Sequence, residues 1–283
     1  MHADRPSATA FYVALHRAAH QLRDTPLVLD DPLALRIVGK KAADAVRSGA
    51  WKENDRLTRR FRIFLATRSR YVADELATAI AGGVRQYVVL GAGLDTSAYR
   101  QPHAAAGLRI FEVDHPATQA WKRTRLAEAG IAIPPELTFA PVDFERQSVM
   151  DGLRAAGFST KQPAFFSWLG VVPYLTWETI QRTLASVVAL PTGTTVVFDY
   201  VADPASLNLF WRLIARWMAR RLARAGEPWR SHFIPAQLAA DLRAMGFRAA
   251  TEVSPAALNQ RYCRDRTDGL TVGPIGHLMQ ATV

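Results

Sequence analysis

The chain has 283 residues, 49% of them hydrophobic, and a single cysteine, Cys263. That length buries a continuous core without disulfides or a Cys-rich zinc site, and no apolar run approaches the ~18 residues of a membrane span. Lys and Arg number 35 against 25 Asp and Glu, so the net charge is +10. Such a charge favours acidic partners and says nothing about fold. The opening stretch, MHADRPSATAF, has no apolar core like that of a signal peptide, and the expectation is a cytoplasmic protein. Much of the excess charge is local, because five arginines and no acid lie between Asp203 and Glu227. A uniformly basic nucleic-acid surface is therefore not expected.

Residues 1 to 80 read as helices forming an N-terminal cover. The spacing predicts helices over 7–23, over 30–49, which opens on Asp30-Asp31-Pro32, and over 56–81. In the last, Leu57, Phe61, Phe64, Leu65, Val72, Leu76 and Ile80 recur mostly three and four apart until Gly82-Gly83 ends the run. The period then changes. Strand-like runs at 86–91, 108–114, 137–143, 164–170 and 194–200 alternate with helical stretches at 94–106, 116–129, 145–157 and 176–189. Several strands are apolar on both faces, as in a parallel sheet covered on each side. The alternation predicts a doubly wound α/β domain over 81–283. A helical insertion at about 203–232 interrupts it. A helix at 235–245 and strands near 247–253 and 271–280 follow, the strands readable as an antiparallel hairpin.

Chemistry gathers at the first strand. Gly91-Ala92-Gly93 follows Tyr87-Val88-Val89-Leu90, and glycines there let a ligand approach the backbone. The next strand ends in Glu112-Val113-Asp114, with Asp114 21 residues beyond Gly93, the offset at which an acid reaches ribose hydroxyls. Together they indicate a nucleoside-bearing cofactor. Thr96 occupies the third glycine position of the dinucleotide fingerprint, and no Tyr-x-x-x-Lys pair accompanies it. An NAD(P)-binding oxidoreductase is therefore the weaker alternative, and a basic non-catalytic nucleic-acid-binding protein a third.

The sequence resembles the leucine carboxyl methyltransferase family, in its bacterial branch of S-adenosylmethionine (SAM)-dependent methyltransferases. The similar stretches are ATRSRYVADEL (66–76), VVLGAGLDTSAYR (88–100), FEVDHPATQAWKR (111–123), VDFE (142–145), SWLGVVPYLT (167–176), FDYV (198–201), GEPW (226–229) and YCRDRTDGL (262–270). The resemblance implies a class I methyltransferase fold, a seven-stranded mostly parallel sheet with one antiparallel strand. It also implies SAM as cofactor and the following roles. Arg68 holds the methionyl carboxylate; Gly91, Ala92 and Gly93 line the methionine and ribose; Asp114 takes the ribose hydroxyls; Asp143 and the Phe144 backbone read the adenine. Leu169 stands where the protein-methylating branch carries a Glu, which argues against a copied substrate site. Arg68 also reads as one of a solvated basic face with Arg59, Arg60, Arg62 and Arg70, and Asp95 as an acid of the first helical turn.

Methyl transfer from a sulfonium needs alignment and exclusion of water, not a metal or a nucleophilic side chain. No metal site is expected. A carboxylate acceptor needs no base at pH 7, whereas a hydroxyl may. The expected reaction is methylation at oxygen, of a carboxylate or a hydroxyl, on a small molecule, with an acidic acceptor favoured. Candidate walls of its pocket are Val171–Tyr174, Asp199-Tyr200 and Tyr12, with Tyr174 and Tyr200 the candidate catalytic side chains. In 207–224, Phe210, Ile214, Trp217 and Met218 form one side and Arg212, Arg216, Arg220 and Arg224 a stripe on another. The stripe reads as a solvated surface, a lid, or a membrane-surface or nucleic-acid face. His16, His20 and His103 receive no role, and His115 reads as a loop histidine.

Overall fold

The computed structural model describes residues 7–100, 106–224 and 226–283. His103, the end of the predicted helix 94–106 and the first six residues lie outside the described residues. Four helices precede the sheet: α1 (Ala8–Arg23), α2 (Ala34–Ile37), α3 (Lys40–Arg47) and α4 (Arg56–Ala81). Side chains cap the first and last. Ser7 accepts from the Ala10 amide, and Asp55 accepts from those of Leu57 and Thr58, occupying donors that a helix start leaves free. The predicted helix 30–49 is two short ones, because Gly39 turns into the left-handed region at φ 80° between them.

The sheet comprises β1 (Gln86–Leu90), β2 (Arg109–Asp114), β3 (Leu137–Pro141), β4 (Phe165–Trp168), β5 (Thr195–Val201), β6 (Ala249–Val253) and β7 (Gly276–Thr282). Their order is β3-β2-β1-β4-β5-β7-β6, with β7 antiparallel to both neighbours and the first five strands parallel. The intervening helices are α5 (Pro116–Glu128), α6 (Val149–Ala155), α7 (Trp177–Val188), α8 (Leu209–Arg224), α9 (Pro235–Ala244) and α10 (Pro255–Tyr262). Helix α10 is absent from the sequence reading, and it means that β6 and β7 are not a tight hairpin. In place of the expected helix over 94–106, the described residues form a 3-10 turn at Ser97–Tyr99.

Two apolar cores lie on opposite faces of the sheet. One packs Val88, Phe111, Phe166, Phe198 and Tyr200 against α6, α7 and α9; the other packs Val89, Ile110, Phe165 and Val197 against α4. Alternate residues of one strand thus enter different cores. Helix α4 shares its core with the sheet, so packing runs across residue 80. Arg62 on α4 is fully buried rather than solvated: its Nε and Nη2 each donate to Asp24 at 2.8 Å, and Asp24 also meets His20 Nδ1 at 2.8 Å. His20 Nε2 in turn accepts from the Val28 and Leu29 amides. This network ties α1, α4 and the segment between α1 and α2 into one body.

Candidate active site

The turn after β1 is shaped by what surrounds it. Gly91 sits at φ 68°, and a Cβ there would lie 2.2 Å from Val171 Cγ2; at Gly93, φ 44°, it would lie 3.1 Å from Ala10 Cβ. At Gly91 both the conformation and the close approach exclude a side chain, and at Gly93 the positive φ strains one. The parallel pairing of β1 with β2 brings Asp114 beside the turn. Its carboxylate accepts from the Gly93 amide at 2.5 Å and the His115 amide at 2.7 Å. Burial raises the Asp114 pKa above the usual carboxylate range against the pull of those two amides. His115 caps α5, its Nδ1 accepting from Ala117.

A cavity of about 440 Å³ opens at the carboxyl ends of the parallel strands, where ligands of such sheets bind. Its lining brings together Arg68, Gly91, Ala92, Gly93, Asp114 and Asp143 from four different segments. Phe144, Leu169 and Tyr174 line it too. Tyr200 does not. It follows Asp199 on β5 and so points through the other face, into the core with Phe233 and His277, where its hydroxyl is buried without a partner among the described residues. The expectation that Tyr200 faces the acceptor is corrected by that alternation.

Arg68 is buried rather than solvated, and its Nη1 donates to Asp199 Oδ2. The other oxygen of Asp199 accepts from the Gly170 amide at 2.5 Å. Asp199 therefore fixes both the guanidinium and the turn after β4. Arg68 Nε is buried and has no hydrogen-bond partner among the described residues, while the side chain lines the cavity. Arg17, unremarked in the sequence reading, also lines the cavity. It donates to Leu94 O at 2.6 Å and pairs with Asp95 and Asp31. Burial works to raise Asp95, but Arg17 and Lys122 outweigh it and hold the carboxyl at about 2. Asp95 thus braces α1 against the glycine turn. Asp95 also accepts from the Ser97 amide at 2.6 Å; the sequence marked Asp199 only as a candidate wall beside Tyr200, and nothing local marked Arg17.

The roof is built by α1 and the segment after α8. Glu227 accepts from Ser7 Oγ at 2.9 Å, from the Thr9 amide at 3.1 Å and from the Thr9 hydroxyl. Tyr174 lies below, and burial pushes its phenol up to about 12 despite a hydrogen bond with Thr9. At neutral pH it is a hydroxyl donor, not a phenolate.

A glycine turn, an acid at the end of β2 and an acid–aromatic pair after β3 suit ribose and adenine. A guanidinium on the cavity wall suits an amino-acid carboxylate. The leucine carboxyl methyltransferase family matches residues 10–188. The chain belongs to that family. By that membership it is a SAM-dependent methyltransferase. It is similar to "Putative S-adenosyl-L-methionine-dependent methyltransferase YktD" of Bacillus subtilis, at 30% identity over 99% of each chain. A relative of the same description from Mycobacterium avium is 34% identical over 78% of this chain and 71% of its own. Among solved structures, the fold resembles that of a Thermobifida fusca protein described as a putative methyltransferase, with a TM-score of 0.56 at 18% identity over 99% and 95% of the two chains. A DUF574-family protein of Streptomyces avermitilis has the same fold, with a TM-score of 0.54 at 19% identity over 87% and 94%. Family membership decides against the oxidoreductase alternative. No helix among the described residues is long and apolar enough to cross a membrane, and no group of metal-ligating side chains occurs among them.

Proposed function

We propose that this methyltransferase methylates oxygen of a small-molecule carboxylate that enters beneath the roof, beside Tyr174. SAM supplies an electrophilic methyl group on a neutral leaving group. The chain's own task is to bind, orient and exclude water. Arg68 receives the methionyl carboxylate, Gly91, Ala92 and Gly93 admit the chain and ribose, and Asp114 takes the ribose hydroxyls. Asp143 and the Phe144 backbone read the adenine, with Leu169 supplying an apolar wall. Arg68, held by Asp199, keeps the cover and the strand ends in register with that cofactor.

One observation carries the choice of acceptor: every carboxylate lining the cavity is already engaged. Asp74 accepts from Arg70, Arg261 and Tyr262; Asp95 meets Arg17; Asp114 holds two amides. Asp143 accepts from the Glu145 amide, Glu145 pairs with Arg230, and Glu227 holds α1. His115 Nδ1 is spent on a helix cap. A hydroxyl acceptor that needs deprotonation meets no free base, whereas a carboxylate arrives ionised. The test incubates the protein with methyl-labelled SAM and parallel panels of aromatic carboxylic acids and phenols. Label released as methanol by mild alkali marks a methyl ester and is the expected result. Label stable to alkali, on phenols alone, overturns the carboxylate assignment.

A further inference from the structure

Helix α8 carries a face that the cavity does not use. Of its residues only Ala215 is buried, while Trp211, Ile214 and Met218 pack half-buried against Val201, Leu207 and Ile275. The apolar side expected from sequence is therefore split. Phe210 and Trp217 turn to solvent at 62% and 53% exposure, beside Leu209 at 70% and Leu213 at 55%. At about 100° per residue these four span one arc of the helix, and Arg216, Arg220 and Arg224 continue the same arc toward its end. The three arginines are exposed and make no ion pair among the described residues, unlike Arg221, which pairs with Glu53 at 2.6 Å. The helix contains no acid at all.

Single exposed apolar residues are ordinary; four large ones on a single arc, continued by unpaired guanidinium groups, are not. A second copy seated on this face would bring like-charged arginines together. An anionic lipid surface complements both halves: large apolar side chains enter the headgroup–acyl boundary while arginines meet lipid phosphates. We propose that the outer face of α8 docks the protein on an anionic phospholipid surface. The net charge of +10 supports approach to it. Docking would also set the roof of the cavity against the bilayer, since Arg221 stacks over Tyr12 of α1 and Glu227, just beyond α8, holds the start of α1.

Co-sedimentation with phosphatidylcholine vesicles, with and without a quarter phosphatidylglycerol, tests this in the full chain. Binding is expected only with the anionic lipid. The triple variant Phe210→Ser/Leu213→Ser/Trp217→Ser should lose at least ~10-fold in affinity, and Arg216→Gln/Arg220→Gln/Arg224→Gln about 100-fold, from the attraction of three basic residues to such a leaflet. Circular dichroism monitors the fold of each. Brominated anionic lipid should also quench wild-type tryptophan fluorescence, and Trp217→Phe should bind as well but lose most of the quenching. No binding to anionic vesicles, or a loss confined to the arginine variant, overturns the proposal. So does equally tight binding to duplex DNA that only the arginine variant weakens, or a solution dimer abolished by the apolar variant.

Discussion

Asp199 holds both Arg68 and the Gly170 amide, and removing it tests the proposed cofactor site most directly. Asp199→Ala strands the Arg68 guanidinium in the interior, and breaking a buried pair from one side costs about 3–5 kcal/mol. It also strips the Gly170 amide of its acceptor, a loss of about 1–3 kcal/mol where water cannot replace it. Arg68→Ala should cost about as much as the first figure alone. The double variant removes both charges, so its loss should fall short of the sum of the single losses by at least ~2 kcal/mol. Urea unfolding at constant m-value measures all three. Calorimetry adds the functional readout. Asp199→Asn keeps an oxygen for Gly170 but loosens Arg68, so S-adenosylhomocysteine affinity should fall while adenosine, which has no carboxylate, binds as before. Arg68→Lys should not rescue what Arg68→Ala loses, because a carboxylate rewards a two-donor fork. Single losses that add within about 0.5 kcal/mol, or equal effects on both ligands, would refute the reasoning.

Asp114→Ala should weaken S-adenosylhomocysteine by about 1.5–3 kcal/mol, read by calorimetry beside NAD, which should not saturate; unchanged affinity would mean that the acid only holds Gly93. Gly91→Ala should abolish cofactor binding, since it meets both an unfavourable φ and Val171, and adding Val171→Ala should restore only part of it because the backbone cost persists. His16 is buried among Tyr12, Trp51 and Phe61, and burial pushes it down to about 3, with Arg62 adding to the effect. Its folded value lies below its unfolded one, so its contribution is complete above pH 6.5 and is lost as pH falls toward 3. Over that window the unfolded chain binds a proton that the folded one does not, and stability should drop by about 1.4 kcal/mol per pH unit. Urea midpoints between pH 7 and 5 should show that slope in the wild type and a flatter one in His16→Leu; equal slopes would count against a neutral His16.

The sequence by itself determined the class of fold and the cofactor, and it placed the candidate glycine turn and acid. Periodicity marks helix α4 and the five parallel strands because a strand apolar on both faces and a helix with one apolar side differ in period, a local property. The glycine turn and Asp114 were legible because adjacent parallel strands put their ends side by side at a fixed chain offset. Short helices were less so: Gly39 divides one predicted helix, and α10 lacks a long enough pattern to stand out. Only the tertiary structure decided what depends on pairing across the chain. It turned Arg62 and Arg68 from an apparently solvated row into buried partners of Asp24 and Asp199, 38 and 131 positions away. It also sent Asp199 toward Arg68 on α4 and Tyr200 into the opposite core, a choice set by which sheet face α4 covers. Finally, it turned Phe210 and Trp217 outward while Ile214 and Met218 packed inward. Helical spacing shows that such residues share a side, but the orientation of the helix on its neighbours decides which of them water reaches.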